Sequence, residues 1–116
     1  MSRRGTRINR EISFTLTSLD PHNRFSEPCA TLLVNPQGCA AKASRELEVG
    51  AEVRLEGLPG GQSVGARVVN CISLRDEKFW IIGLALVEPG NVWGIDDPPQ
   101  DWATSVEIAK AQTTTH

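Results

Sequence analysis

Short apolar segments recur about every ten residues along this chain, and turn residues separate them. Residues 12–17 read ISFTLT, in which every second side chain is apolar, as expected of a strand with one buried face. Asp20 with Pro21, and the Asn-Pro-Gln-Gly sequence at residues 35–38, are typical of turns. No long segment has the 3.6-residue period of an amphipathic helix. The sequence therefore predicts an all-β fold.

The number of strand signals narrows this prediction to a small antiparallel barrel or sandwich. A chain of 116 residues is near the usual size of one domain. A closed barrel would also leave no exposed strand edge, which a small β-domain must otherwise protect. The segment at residues 79–87 is almost wholly apolar, which is typical of a central strand. The seven strand signals lie at residues 12–17, 29–34, 39–43, 46–50, 51–56, 64–72 and 79–87.

Composition excludes several classes of function. No apolar run reaches the roughly 20 residues that span a bilayer, and the N-terminus lacks the apolar core of a signal peptide, so we expect a cytoplasmic protein without membrane insertion. A net charge of −2 argues against DNA or RNA as a partner. Cys29, Cys39 and Cys71 lie in apolar stretches without metal-ligand spacing, which favours core packing. With His22 as the sole internal histidine, we expect no metal, no cofactor and no enzymatic activity.

The N-terminus carries an unusual concentration of positive charge. Arg3, Arg4, Arg7 and Arg10 give residues 1–10 a charge of +4, whereas the other residues hold eight basic and fourteen acidic side chains, a net charge of −6. The guanidinium group binds phosphate through two parallel hydrogen bonds and stacks on rings. These arginines therefore suit a phosphorylated ligand, although a solvated basic tail would have the same composition.

Several short motifs follow one another along the chain. Residues 3–7 (RRGTR) contain an Arg-x-x-x-Arg motif, and a strand follows that ends in LVNPQG. Further segments are VGAEVRL at residues 49–55, ARVV at residues 66–69, and IGLAL at residues 82–86 followed by Pro89 and Trp93. In this order the motifs resemble the PilZ domain family, whose closing strand is similar to IGLAL. The resemblance covers about residues 3–97 and implies a small, split six-stranded antiparallel barrel.

The resemblance implies that the chain binds cyclic di-GMP, a bacterial second messenger with two phosphates and two guanines. By the family pattern, Arg3, Arg4 and Arg7 fold over the ligand and contact phosphate and guanine, while Asn35 contributes from the turn after the second strand. In this family, binding couples the messenger to motility, surface attachment or polysaccharide output. The N-terminal arm is then expected to be mobile when empty and ordered when bound.

The second motif of the family, Asp/Asn-x-Ser-x-x-Gly, is degenerate in this chain. With Asn35 in the first position, Gln37 takes the Ser position and Ala40 the Gly position. With Gly38 in the Gly position, Leu33 takes the Asp/Asn position and Asn35 takes the Ser position. Either register keeps one residue of three. Two lost contacts of about 1–3 kcal/mol each would weaken the affinity by roughly two to four decades.

The predicted organisation is a flexible arm at residues 1–10, a barrel at residues 11–97 and an extension at residues 98–116. Prolines 98 and 99 exclude a helix interior there, and residues 102–112 have the composition of a short helix. The alternative function is a degenerate module that binds a protein partner without nucleotide. Its candidate anchor is Trp102 beside the acids of residues 96–101, although a tryptophan in this position is also typical of a barrel cap.

Overall fold

The computed structural model describes residues 5–74, 78–103 and 106, and it is built from β-strands. Six of its strands lie where the alternation of apolar residues predicts them. The seven strands are β1 (Ile8–Asn9), β2 (Ser13–Ser18), β3 (Ser26–Asn35), β4 (Gly38–Ala43), β5 (Glu52–Leu58), β6 (Gln62–Ser73) and β7 (Trp80–Leu86).

The strands close into one antiparallel barrel. Around the barrel the order is β3-β2-β5-β6-β7-β4, and pairing between β4 and β3 completes the circle. The short strand β1 is an addition to these six: it pairs with β3 along the same edge as β2, but further toward the end of β3. The predicted six-stranded antiparallel β-barrel is confirmed, and β7 has a strand on each side, as its apolar sequence predicts.

Alternate residues of each strand point into the barrel and form its core. In β4, for example, Cys39, Ala41 and Ala43 are buried, whereas Ala40 is half-buried and Lys42 is exposed. Burying a larger core side chain, such as a valine, leucine or isoleucine, stabilises the folded state by about 1.5–3 kcal/mol. The largest fully buried apolar side chains of the core are Trp93, Leu16, Leu55, Leu58, Ile82, Val34, Val53 and Val68.

Three β-bulges interrupt the regular alternation of the barrel strands. One lies in β5, where the pairing with β6 shifts between Leu55 and Leu58, and the other two lie in β3 and β6. The pairing of β3 with β4 shifts between Thr31 and Leu33, and the pairing of β6 with β7 shifts between Val68 and Asn70. The extra residues in β3 and β6 are Leu32 and Val69, which expose 36% and 48% of their surface. A bulge adds one residue to a strand, so in β3 the inward positions change from odd numbers up to Thr31 to an even number at Val34, and both of these side chains are buried.

One predicted strand is wrong, because residues 46–50 form a loop. The loop buries Leu47 and exposes Glu46 and Glu48. Gly50 ends it with a φ of 96°, a left-handed conformation that interrupts extended backbone and favours glycine. The seventh strand is instead β1, inside the region predicted to be an arm.

The chain turns helical shortly after its two consecutive prolines. Residues 101–103 and residue 106 are helical, and Val106 is half-buried. The rest of the predicted helix, like the turn at residues 75–77, lies outside the described residues. Within the described part of the chain, no helix is long and apolar enough to cross a membrane.

Candidate ligand-binding site

The predicted arm runs along the barrel beside the turn between β3 and β4. In β1, Ile8 pairs with Val34 and Asn9 with Leu33. Continuing this register by one residue sets Arg7 opposite Asn35, so the two predicted ligand-binding segments lie side by side. The side chain of Arg7 is exposed. Arg3 and Arg4 lie outside the described residues.

Thr31 fixes the point at which this arm leaves the barrel. Its side chain is 1% exposed, and its hydroxyl donates a hydrogen bond to the carbonyl of Arg10 (2.6 Å) while accepting one from the amide of Ile12 (2.8 Å). The pairing with β3 shifts by one residue between β1 and β2 at this place. Thr31 is not among the site residues predicted from the sequence. The feature that could have indicated its role is a hydroxyl at an inward position of residues 29–34, which are otherwise apolar.

Asn35 shapes the β3–β4 turn from within. It is 7% exposed, and its Oδ1 atom accepts hydrogen bonds from the amides of Gln37 (2.9 Å) and Gly38 (3.0 Å). This is the local bonding for which asparagine is favoured in turns. Since the side-chain oxygen is already engaged, contact between Asn35 and a ligand stays a prediction that this geometry does not favour.

The chain after β7 folds over this turn and over the base of the arm. The amide of Gly90 donates to the carbonyl of Pro36 (2.9 Å), and the indole nitrogen of Trp93 donates to the carbonyl of Asn35 (2.8 Å). The indole nitrogen of Trp102 donates to the carbonyl of Thr6 (2.7 Å). Trp93 and Trp102 are 1% and 3% exposed. Both tryptophans therefore cap the barrel at the end that carries the arm.

This end of the barrel carries both positive and negative side chains. Arg7 and Arg10 are exposed in the arm. The hydroxyl of Thr6 donates a hydrogen bond of 2.8 Å to Oδ2 of Asp101, while Oδ1 of Asp101 is buried without a partner among the described residues. A carboxylate therefore contacts the arm at Thr6, the residue before Arg7.

The opposite end of the barrel does not suit an anion. A cleft of about 420 Å³ lies between the turn after β2 and the loop before β5, and Asp20, Glu48 and Glu52 line it with the exposed side chains of Leu19 and Val49. Three carboxylates would repel a phosphate. Among the described residues, no group of three or more His, Cys, Asp or Glu side chains is arranged to hold a metal ion.

The buried thiols are poor nucleophiles. Burial, together with the smaller effect of the nearby carboxylate of Glu27, raises the pKa of Cys29 to about 12. Burial likewise raises the pKa of Cys39 to about 12. Because the thiolate is the reactive form, both side chains serve as core residues. Cys71 is half-buried, and its sulfur accepts a hydrogen bond from the amide of Leu47 (3.5 Å).

Comparison of the chain with models of protein families, with curated proteins and with solved structures finds no match.

Proposed function

We propose that this chain is a cyclic di-GMP-binding receptor domain of the PilZ type. The observation that carries the proposal is the register of β1, in which Ile8 pairs with Val34. Arg7 of the Arg-x-x-x-Arg motif directly precedes Ile8, and Asn35 of the degenerate second motif directly follows Val34, so the two motifs are neighbours in the fold. This agrees with the concentration of positive charge at the N-terminus of an otherwise acidic chain.

The chemistry of the arm supports a phosphorylated ligand. Arg3, Arg4 and Arg7 supply the guanidinium groups, which bind phosphate oxygens in pairs and stack on flat bases. Asn35 has a different role in this proposal: it holds the turn in shape, because its side-chain oxygen binds two turn amides. We therefore assign most of the binding energy to the arginines, and we expect a weaker affinity than an intact second motif would give.

The test is calorimetric titration of cyclic di-GMP into the wild-type chain and into an Arg3→Ala/Arg7→Ala variant. We expect the variant to bind at least about 100-fold more weakly, since hydrogen bonds to charged groups contribute about 1.5–3 kcal/mol each. The matched control is Arg24→Ala/Arg54→Ala, which removes the same charge from two exposed arginines outside the arm. Cyclic di-AMP, with the same phosphates and different bases, tests recognition of guanine.

Each outcome of this titration has a definite meaning. Loss of binding in the arm variant but not in the control supports the receptor. Equal loss in both variants would indicate a response to overall charge and would contradict an arginine site. No heat with the wild-type chain at about 100 µM ligand would place the dissociation constant above that range and would reject the proposal.

A protein-binding module without nucleotide is the second candidate. Val69 and Ile72 lie near the end of β6 and expose 48% and 53% of their surface, and exposed apolar side chains favour contact with a protein. Trp102 is a poor anchor for such contact, because it is buried and its indole nitrogen is bonded to Thr6. A module of this class would tolerate the loss of Arg3 and Arg7, so the same variants separate the two functions.

A further inference from the structure

Two tryptophans lie in the chain after β7. Each donates a hydrogen bond to a backbone carbonyl of one candidate ligand-binding element, either the β3–β4 turn or the arm. Trp93 donates its indole N–H to the carbonyl of Asn35 in the turn, and Trp102 donates its indole N–H to the carbonyl of Thr6 in the arm. Both bonds are short, at 2.8 Å and 2.7 Å. A buried tryptophan needs a partner for its N–H group, so these bonds are costly to break.

The segment that carries the two tryptophans is braced internally. The side chain of Asn91 donates to the carbonyl of Ile95 (2.9 Å) and accepts from its amide (3.1 Å). The backbone turns at Gly94 and Asp97, whose φ angles are 68° and 52°. At the end of the segment, the amide of Trp102 donates to the carbonyl of Pro99 (3.0 Å). These bonds restrain the backbone on both sides of Asp97 and so limit the relative movement of the two indole N–H groups.

Asp101 adds a second contact to the arm beside Trp102. Its Oδ2 atom accepts the hydroxyl of Thr6, and the residue lies 95 positions away from Thr6 in the chain. Thr6 is thus held at its carbonyl by Trp102 and at its hydroxyl by Asp101. The next residue along the arm is Arg7, so the position of this arginine depends on both contacts.

We propose that residues 91–102 form a clamp that sets the position of the arm relative to the β3–β4 turn, with Trp102 as the positioning residue for Arg7. The ligand of the clamped site is the cyclic dinucleotide of the proposed function, on which this part of the inference rests. The clamp orders the base of the arm before a ligand arrives, which lowers the entropy that binding must overcome. It does so without any contact between Trp102 and the ligand.

The test uses Trp102→Phe, which keeps a ring at this position and removes the N–H donor. We expect the backbone amides of residues 6–9 to exchange with solvent about tenfold faster, and cyclic di-GMP to bind about five- to tenfold more weakly, as for one lost hydrogen bond. Trp80→Phe is the matched control: Trp80 lies at the start of β7, and we expect neither quantity to change more than twofold. Unchanged arm exchange in Trp102→Phe would overturn the clamp.

A second pair of variants keeps the inference testable if Trp102→Phe unfolds the end of the barrel. Asp101→Ala removes the acceptor for Thr6, whereas Asp101→Asn keeps an oxygen at that place. We expect faster exchange of the arm amides in the alanine variant and near-normal exchange in the asparagine variant. Equal exchange in both would contradict a hydrogen-bonded clamp.

Failure of the clamp and failure of the proposed function are distinguishable. Amide exchange is measured without nucleotide, so it decides the clamp even if the wild-type chain binds no cyclic di-GMP. Conversely, if the wild-type chain binds and the Arg3→Ala/Arg7→Ala variant does not, while Trp102→Phe leaves arm exchange and affinity unchanged, the receptor stands and the clamp is wrong.

Discussion

At the scale of single residues, the side chain of Asn35 decides the shape of the β3–β4 turn. Its oxygen accepts from two successive amides of the turn, and its carbonyl accepts from Trp93. The residue is 7% exposed, so water cannot easily replace these bonds. An asparagine that matches a ligand-binding motif is therefore also a structural residue, and its substitution changes the fold as well as the site.

This gives a prediction for Asn35→Ala. Two buried amides lose their acceptor, and we expect the free energy of unfolding to fall by about 1–3 kcal/mol, measured by chemical denaturation. Asn35→Asp retains an acceptor at the same place and should be less destabilised. The control is Asn23→Ala in an exposed turn, with an effect within about 0.5 kcal/mol. Wild-type stability of Asn35→Ala would show that the turn does not need this side chain.

At the scale of elements, β4 closes the barrel although its sequence has weak β-propensity. The strand reads GCAAKA and pairs with β3 on one side and with β7 on the other. Its small residues allow close approach: a Cβ atom on Gly38 would lie 1.8 Å from the carbonyl oxygen of Leu84. The β4–β7 pair is thus set by steric fit between the two backbones.

Gly38→Ala tests this closure. Because the clash is with backbone atoms, β4 and β7 must separate locally, and we expect the free energy of unfolding to fall by about 1–3 kcal/mol or more, measured by chemical denaturation. Gly90→Ala is the matched control, since a Cβ atom there meets nothing within 4 Å. Its effect should stay within about 0.5 kcal/mol. Equal stability of the two variants would contradict a tight β4–β7 contact.

At the scale of the whole molecule, the closed barrel determines the chemistry of its interior. Cys29 and Cys39 point into the barrel, and burial raises the pKa of each thiol from 9.0 to about 12. In the unfolded chain both thiols lose their protons near pH 9, whereas in the folded chain they stay protonated until about pH 12. The unfolded state is therefore favoured progressively as the pH rises between these values.

The corresponding prediction is a loss of stability in alkali. We expect the free energy of unfolding to decrease from about pH 9 to about pH 12, and to decrease less steeply in a Cys29→Ala/Cys39→Ala variant, because that variant lacks the two protons released on unfolding. Denaturant titrations at about pH 7.5 and about pH 10.5 measure both slopes. If the variant has the same dependence on pH as the wild-type chain, the thiols are not the cause.

The amino-acid sequence by itself determined the all-β class, six of the seven strands and the β3–β4 turn. These features depend on neighbouring residues: the alternation in ISFTLT, the Asn-Pro pair at residues 35–36 and the apolar run of β7 each act within a few positions. The strand predicted at residues 46–50 from the same local pattern was wrong, because these residues form a loop in which Gly50 has a left-handed backbone.

Only the tertiary structure decided how the arm, the turn and the C-terminal segment meet. Thr31 sets the point at which the arm leaves the barrel, through bonds to residues about 20 positions away. The indole nitrogen of Trp102 donates to Thr6, which lies 96 positions away in the chain. One sequence carries no signal for contacts of this separation, since many residues could supply an N–H or hydroxyl partner. Closure of the barrel selects among them, because it brings Thr6, Asp101 and Trp102 to the same end of the barrel.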